Sequence, residues 1–162
     1  MRETDRYNIM KELRFGFIGD YPVAGMGEPW ASKIAGTHRL LRQAGIGAIL
    51  CLTEEDLYGR RHVSAGFRYG HIPVEDTRPP ALEAMEQAVS FIDHCLENGT
   101  GVAVHCLEGR GRTGTVLCGW LGMRESLNAA NAVTRIRRLR PETVLTPTQK
   151  DFLVQFLDRN ST

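Results

Sequence analysis

A thiol and a guanidinium six positions apart, Cys106 and Arg112, are joined by a glycine-rich run in His105-Cys106-Leu107-Glu108-Gly109-Arg110-Gly111-Arg112-Thr113-Gly114. Consecutive backbone N–H groups in such a loop can close into a cup, and a helix N-terminus behind it adds positive potential. A cup of that kind takes a phosphate dianion. Leu107, Glu108, Gly109, Arg110 and Gly111 would furnish its rim, and the same amides would stabilise Cys106 as a thiolate nucleophile. Arg112 would return beside the cysteine after one circuit of the loop, where its planar fork can hold two phosphoryl oxygens through the transition state. Lysine has no such fork. The hydroxyl of Thr113 is placed to hydrogen-bond the sulfur and ease its departure.

Attack of sulfur on a phosphate ester also requires a proton for the leaving oxygen. Asp76 is the candidate, in the polar segment Val74-Glu75-Asp76-Thr77-Arg78-Pro79-Pro80, with Glu75 as its rival and a solvated loop carboxylate as the alternative. His105 reads as a buried residue that orients the loop, because a preformed thiolate needs no base.

These groups depend on the elements that carry them. Residues 15–19 read as a short strand, 21–29 as a surface loop, and 33–44 as an amphipathic helix capped by Ser32 and ended by Gly45. The apolar run 46–52 predicts a strand covered on both faces, followed by a polar turn or short helix at 53–55 and a loop at 59–65. A strand over 67–72 ends at Pro73, and the loop 74–80 leads into a long helix over 81–97. Residues 102–105 form the next strand, and the glycine run leads into a helix over 115–123. Helices over 129–139 and 147–157 complete the chain, the last with a capping-box pattern from Thr146 to Gln149. Strands alternating with helices predict an α/β fold, a central mostly parallel sheet flanked by helices, with the late helices crowding one side. If the strand before Asp76 is parallel to the one before Cys106, both emerge at one sheet edge.

The segment His105 to Gly114 resembles the signature of the cysteine-dependent protein tyrosine phosphatase superfamily: His-Cys, five residues, then Arg and Ser or Thr. Asp76 ahead of Pro79-Pro80 is similar to the general-acid loop of small atypical dual-specificity phosphatases. The turn Leu52-Thr53-Glu54, the helix with Ile136-Arg137-Arg138-Leu139-Arg140-Pro141, and Thr146 to Gln149 extend the resemblance over most of the chain. It implies one dual-specificity-phosphatase-like catalytic domain over residues 1–162 and a two-step reaction through a cysteinyl-phosphate, with no metal or cofactor. The implied substrates are phosphotyrosine, phosphoserine or phosphothreonine in a phosphorylated protein, or a small phosphomonoester. Gln149 matches a glutamine that borders the site in some relatives and could position water, or it is simply the third residue of the capping box. Cys51 is either a core thiol or, as in some relatives, the partner of Cys106 in a reversible disulfide.

Two departures bear on substrate. Glu108 brings a negative charge where many relatives have a small residue, and is expected to point away from the phosphate. Arg110 stands where phosphoinositide phosphatases often place a basic residue, so a phosphoinositide remains an alternative substrate. A non-catalytic phosphate-binding module and an arsenate-reducing thiol enzyme are the other readings. Arg135, Arg137, Arg138 and Arg140 occupy more than one helix face, so at least some are expected to be only solvated, while one or two could approach the site and attract anionic substrates.

Composition sets the remaining bounds. The 162 residues hold 20 basic and 19 acidic side chains for a net charge of +1, which gives no bulk attraction to nucleic acid. Residues 1–14 alternate in charge and contain no apolar run, so neither a signal peptide nor a membrane anchor is expected and a cytoplasmic location follows by default. The four cysteines, Cys51, Cys95, Cys106 and Cys118, lack zinc-type spacing and are expected to be free thiols.

Overall fold

The computed structural model describes residues 1–161. Its elements run α1 (Glu3–Glu12), β1 (Gly16–Phe17), β2 (Val23–Met26), α2 (Ile34–Gln43), β3 (Ile46–Cys51), α3 (Gly59–Ser64) and β4 (Arg68–His71). They continue with α4 (Leu82–Glu97), β5 (Gly101–His105), α5 (Gly111–Glu125), α6 (Ala129–Leu139) and α7 (Pro147–Asn160). The strands form one sheet in the order β1-β2-β5-β3-β4. Only β1 is antiparallel to its neighbour; β2, β5, β3 and β4 are mutually parallel.

Every residue of β5, and all but Gly47 of β3, is buried, as the apolar composition of strands covered on both faces requires. One face packs with α4, α5, α6 and α7 around Leu50, Val104, Ile92, Trp120 and Phe156. The opposite face is covered by Leu40 and Leu41 of α2, with Ile9 and Met10 of α1 at its margin. In α4, Met85, Val89 and Ile92 repeat at helical spacing and face the core, and Arg112 to Gly122 of α5 are buried without interruption. Among the described residues no helix is long and apolar enough to cross a membrane.

Several local expectations change. Residues 21–29 contain a strand, β2, hidden in the sequence by its four-residue length and by Pro22, Gly25 and Gly27 around it. The stretch 59–65 holds α3, a polar helix too short to show periodicity, whose first N–H is taken by Asp56 Oδ1 at 2.8 Å. Residues 3–12 form α1, a charged helix with no buried residue. Ser32 does not cap α2; its N-cap is Lys33, with no side-chain hydrogen bond. Helix α5 begins at Gly111, four residues before the expected start, because the loop passes directly into helical turns. Gly45 with φ 78° and the capping box at Thr146 and Gln149 are as expected.

Candidate active site

The four parallel strands bring their C-terminal ends to one edge of the sheet. Beyond β2 lie Gly27 and Glu28, beyond β5 Cys106, beyond β3 Thr53 and Glu54, and beyond β4 Asp76. The register pairs Met26 and Cys51 with His105, so β5 places Cys106 at the centre of that edge. The segment from Cys106 to Arg112 curls there into a cup of about 360 Å³. Its walls include Cys106, Leu107, Glu108, Arg110, Gly111, Arg112, Asp76 and Gln149.

Neighbouring backbone fixes the shape of the loop. The Glu28 N–H donates to the Leu107 carbonyl at 2.9 Å. Gly109 has φ 72°, and a Cβ there would lie 2.5 Å from the carbonyl of Met26, so only glycine allows the loop to turn against β2. Gly109 therefore underlies the cup and does not line it. Arg140, fully buried, donates from Nη1 to the Gly109 carbonyl at 3.1 Å and from Nη2 to the Arg14 carbonyl at 2.8 Å. Its guanidinium lies on Gly25, where a Cβ would be 2.6 Å from Cζ. Burial pulls the pKa of Arg140 down, opposed by its ion pair with Glu142 at 3.2 Å. Of the four late arginines this one reaches the site, as a brace beneath the loop; Arg135 pairs with Glu125 at 3.1 Å, and Arg137 and Arg138 are exposed.

Arg112 is 5% exposed and is held from two sides. Nη1 donates to the Val74 carbonyl at 3.0 Å, Nη2 lies 3.3 Å from Asp76 Oδ1, and Glu54 Oε1 is 4.0 Å from Nη1. Its Nε is buried with no protein partner. A buried guanidinium donor left open in the wall of an amide-rimmed cup is suited to an anion.

Asp76 lies on the same rim, its backbone N–H donating to Glu54 Oε1 at 2.9 Å. The loop around it is tied to α7: Thr146 Oγ1 donates to the Thr77 carbonyl at 2.9 Å and Gln149 Nε2 to the Arg78 carbonyl at 3.1 Å. Glu75 is absent from the walls. Gln149 is fully buried, and its Oε1 accepts from the Thr146 N–H at 2.9 Å, so both ends of its amide are engaged. It completes the capping box and ties down the Asp76 loop, and it also lines the cup.

His105 is buried behind the loop, its Nδ1 donating to the Cys106 carbonyl at 3.3 Å, and burial pushes its pKa down. Thr113 is buried too, but its hydroxyl has no hydrogen-bond partner and so makes no bond to the sulfur. Glu108 stands on the rim, its carboxylate 3.7 Å from Arg110 Nε and largely in solvent. Cys51 Sγ is 3.0 Å from Thr53 Oγ1. Because Cys51 is level with His105, strand alternation turns it to the sheet face away from Cys106. All four cysteines are free.

The sequence assigns no role to Glu54 or Glu28, gives Thr146 only a place in the capping box, and names Arg140 only as one of four arginines of which one or two could approach the site. The strand-end rule would have marked Glu54, which follows β3 at the edge where Asp76 and Cys106 emerge. Nothing in the local pattern around Arg140 announces that it folds back under the loop. Apart from its backbone bond to Leu107, Glu28 has no side-chain hydrogen bond or ion pair among the described residues; burial raises its pKa, while His105 and Arg112 oppose the rise.

Comparison with known proteins agrees with this geometry. A family model described as a DSP-PTPase phosphatase of polymorphic toxin systems matches residues 24–125. An uncharacterised protein of Methanocaldococcus jannaschii, MJECL20, is 36% identical over 90 residues, 55% of this chain and 59% of that protein. The phosphatidylglycerophosphate phosphatase PTPMT2 of Arabidopsis thaliana is 32% identical over 121 residues, 72% of this chain and 53% of that protein. The chain thus spans little more than half the length of these curated relatives. The crystal structure of Tk-PTP in its active form superposes with a TM-score of 0.80 at 28% identity, covering 90% of this chain and 97% of that one. Since the family model spans most of the sheet and the whole segment from Cys106 to Arg112, the chain belongs to the dual-specificity and tyrosine phosphatase family of cysteine-dependent enzymes.

Proposed function

We propose that the protein hydrolyses phosphomonoesters without a metal, through a phosphocysteine intermediate on Cys106. The observation that carries this reading is the unpaired, buried Nε of Arg112 in the cup that begins at Cys106. In the first step Cys106 Sγ attacks phosphorus in line, the ester P–O bond breaks, and Asp76 gives its proton to the departing oxygen. In the second, Asp76 takes a proton from a water that attacks phosphorus, and the S–P bond breaks to release phosphate and the thiolate. Arg112 and the loop amides hold the equatorial oxygens in both steps. Residues 1–162 act as one catalytic domain, and a reducing, cytoplasmic setting suits a nucleophilic thiol.

Phosphotyrosine in a polypeptide is the leading substrate, followed by phosphoserine and phosphothreonine. A second cleft of about 900 Å³ adjoins the cup and shares Leu107 and Glu108 with it; Trp30, Tyr58 and Glu28 line it, which gives residues flanking a phosphoresidue a surface to lie on. A phosphoinositide or related lipid headgroup is the second reading, favoured by Arg110 in the cup wall, whose Nε has only the Glu108 carboxylate at 3.7 Å and no hydrogen bond.

Hydrolysis of an aryl phosphate in excess chelator, followed by a panel of phosphotyrosyl, phosphoseryl and phosphothreonyl peptides and phosphoinositide micelles, tests both. Chelator-resistant turnover that vanishes in Cys106→Ser is expected, with the best kcat/KM on phosphotyrosyl peptide. A preference for micelles moves the assignment to the lipid. Phosphate or vanadate binding without turnover identifies a binding module, and arsenate-dependent thiol consumption a reductase.

A further inference from the structure

Three histidines line up behind the catalytic loop, on the sheet face away from Cys106. His105 ends β5, His62 lies in α3 and His38 in α2. His38 Nε2 and His62 Nδ1 are 2.9 Å apart, and the rings of His62 and His105 meet edge to face with centroids 6.2 Å apart. His105 Nδ1 in turn is 3.3 Å from the Cys106 carbonyl oxygen. His62 and His105 are buried, and the Nε2 of each lacks a protein partner. His38 is half-buried and reaches the surface.

Hydrogen-bond chemistry assigns the protons. A carbonyl oxygen only accepts, so His105 Nδ1 carries the hydrogen, and in a neutral ring Nε2 is then an acceptor. Burial favours the neutral form of all three rings: it lowers His105, brings His62 down to about 4, and together with nearby Arg42 lowers His38. The acceptor at His105 Nε2 needs a donor, and the adjoining ring that also has an unpaired nitrogen is His62. With the hydrogen on His62 Nε2, its Nδ1 accepts from His38 Nε2–H, and His38 Nδ1 is left to accept from solvent. The opposite tautomer of His62 would bury two acceptors beside one another with no donor between them. The two Nε2 atoms make no direct hydrogen bond, so the link from His62 to His105 needs one bridging water, which accepts from His62 Nε2–H and donates to His105 Nε2.

We propose that His62 and His38 are positioning residues: a one-way chain of neutral imidazoles, from His38 through His62 to His105, fixes His105 as the Nδ1–H tautomer and so holds the Cys106 carbonyl and the start of the loop in place. The kinetic part of this inference rests on the phosphatase reading; the tautomers do not. The charged and titratable groups facing the chain are Arg42 beside His38, Asp56 and Tyr69 beside His62, and Glu28, Arg112 and Cys51 beside His105.

Long-range proton–nitrogen correlation NMR on the folded wild-type protein at neutral pH reads each ring. The expected pattern is Nδ1–H for His105 and Nε2–H for His62 and His38. In His62→Phe, His105 is expected to lose its single tautomer, and kcat on an aryl phosphate to fall about fivefold, the equivalent of one net hydrogen bond, with vanadate affinity little changed. His62→Gln, which can both accept and donate, is expected to restore most of the rate. An Nε2–H tautomer of His105 in the wild type overturns the proposal. So does a His62→Phe protein that keeps the His105 tautomer and kcat while melting lower, since that is packing alone. Should His62→Phe not fold, His38→Ala at the half-buried end serves instead: His62 must then lose its single tautomer, and an unchanged His62 overturns the chain. If the wild type shows no turnover, the phosphatase reading fails while the tautomers still decide this one.

Discussion

At the scale of single residues, the site turns on a guanidinium whose two terminal nitrogens already have partners while its Nε has none. Val74 and Asp76 hold the two terminal nitrogens of Arg112, with Glu54 at longer range, so the side chain is oriented before any phosphate arrives. Preorganisation of this kind is what makes a charge effective on a transition state. Arg112→Lys keeps a positive charge and loses the fork, and steady-state kinetics are expected to show kcat lower by on the order of 10²–10³. A loss under tenfold would mean that charge alone suffices. Asp76→Asn leaves the carbonyl geometry and removes the proton. Its kcat on a phenyl phosphate is expected to drop about 100-fold or more, and less on a nitrophenyl ester whose oxygen leaves without help. Equal losses on both esters would remove Asp76 from the acid role.

At the scale of elements, the acid loop is pinned from both ends. Glu54 after β3 takes the Asp76 N–H, and the start of α7 takes the carbonyls of Thr77 and Arg78. Thr146→Val deletes one of these bonds, together with the N-cap bond from the Gln149 N–H, while keeping the side-chain shape. One net hydrogen bond is about 1 kcal/mol, so kcat is expected to fall about fivefold while vanadate affinity stays near the wild-type value. A matching loss of vanadate affinity would show that Thr146 supports the cup and not the loop. How legible these elements were follows from their length. The strands β3 and β5 are continuous apolar runs and α4 carries a clear stripe, so the sequence marks them. The strand β2 spans four residues with a glycine inside, and α3 six residues with no stripe, so local pattern is silent there and tertiary pairing decides. The cup was readable because its chemistry is contiguous, from Cys106 to Arg112. The brace from Arg140 and the tie from Thr146 were not, since each joins segments far apart in the chain.

At the scale of the whole molecule, burial of histidine beneath the sheet edge links folding to pH. The imidazole of His62 stands at about 4 in the fold against an ordinary 6.5, through burial first and the neighbouring His105 and His38 next. Above 6.5 the ring is neutral whether the chain is folded or not, and its contribution is intact. As pH falls from 6.5 towards 4 the unfolded chain takes up a proton that the folded one resists, so stability declines across that window and levels off below it. Denaturant midpoints of His62→Phe are expected to fall less steeply over the same window; an identical slope would place the acid sensitivity elsewhere. The central claim concerns Cys106, and the most direct measurement is a rapid acid quench of the protein turning over a phosphotyrosyl peptide in excess chelator, followed by mass spectrometry. A phosphoryl group on the peptide that carries Cys106, absent in Cys106→Ser, is the predicted result. Sustained turnover with no adduct on Cys106, or undiminished turnover by Cys106→Ser, would contradict it.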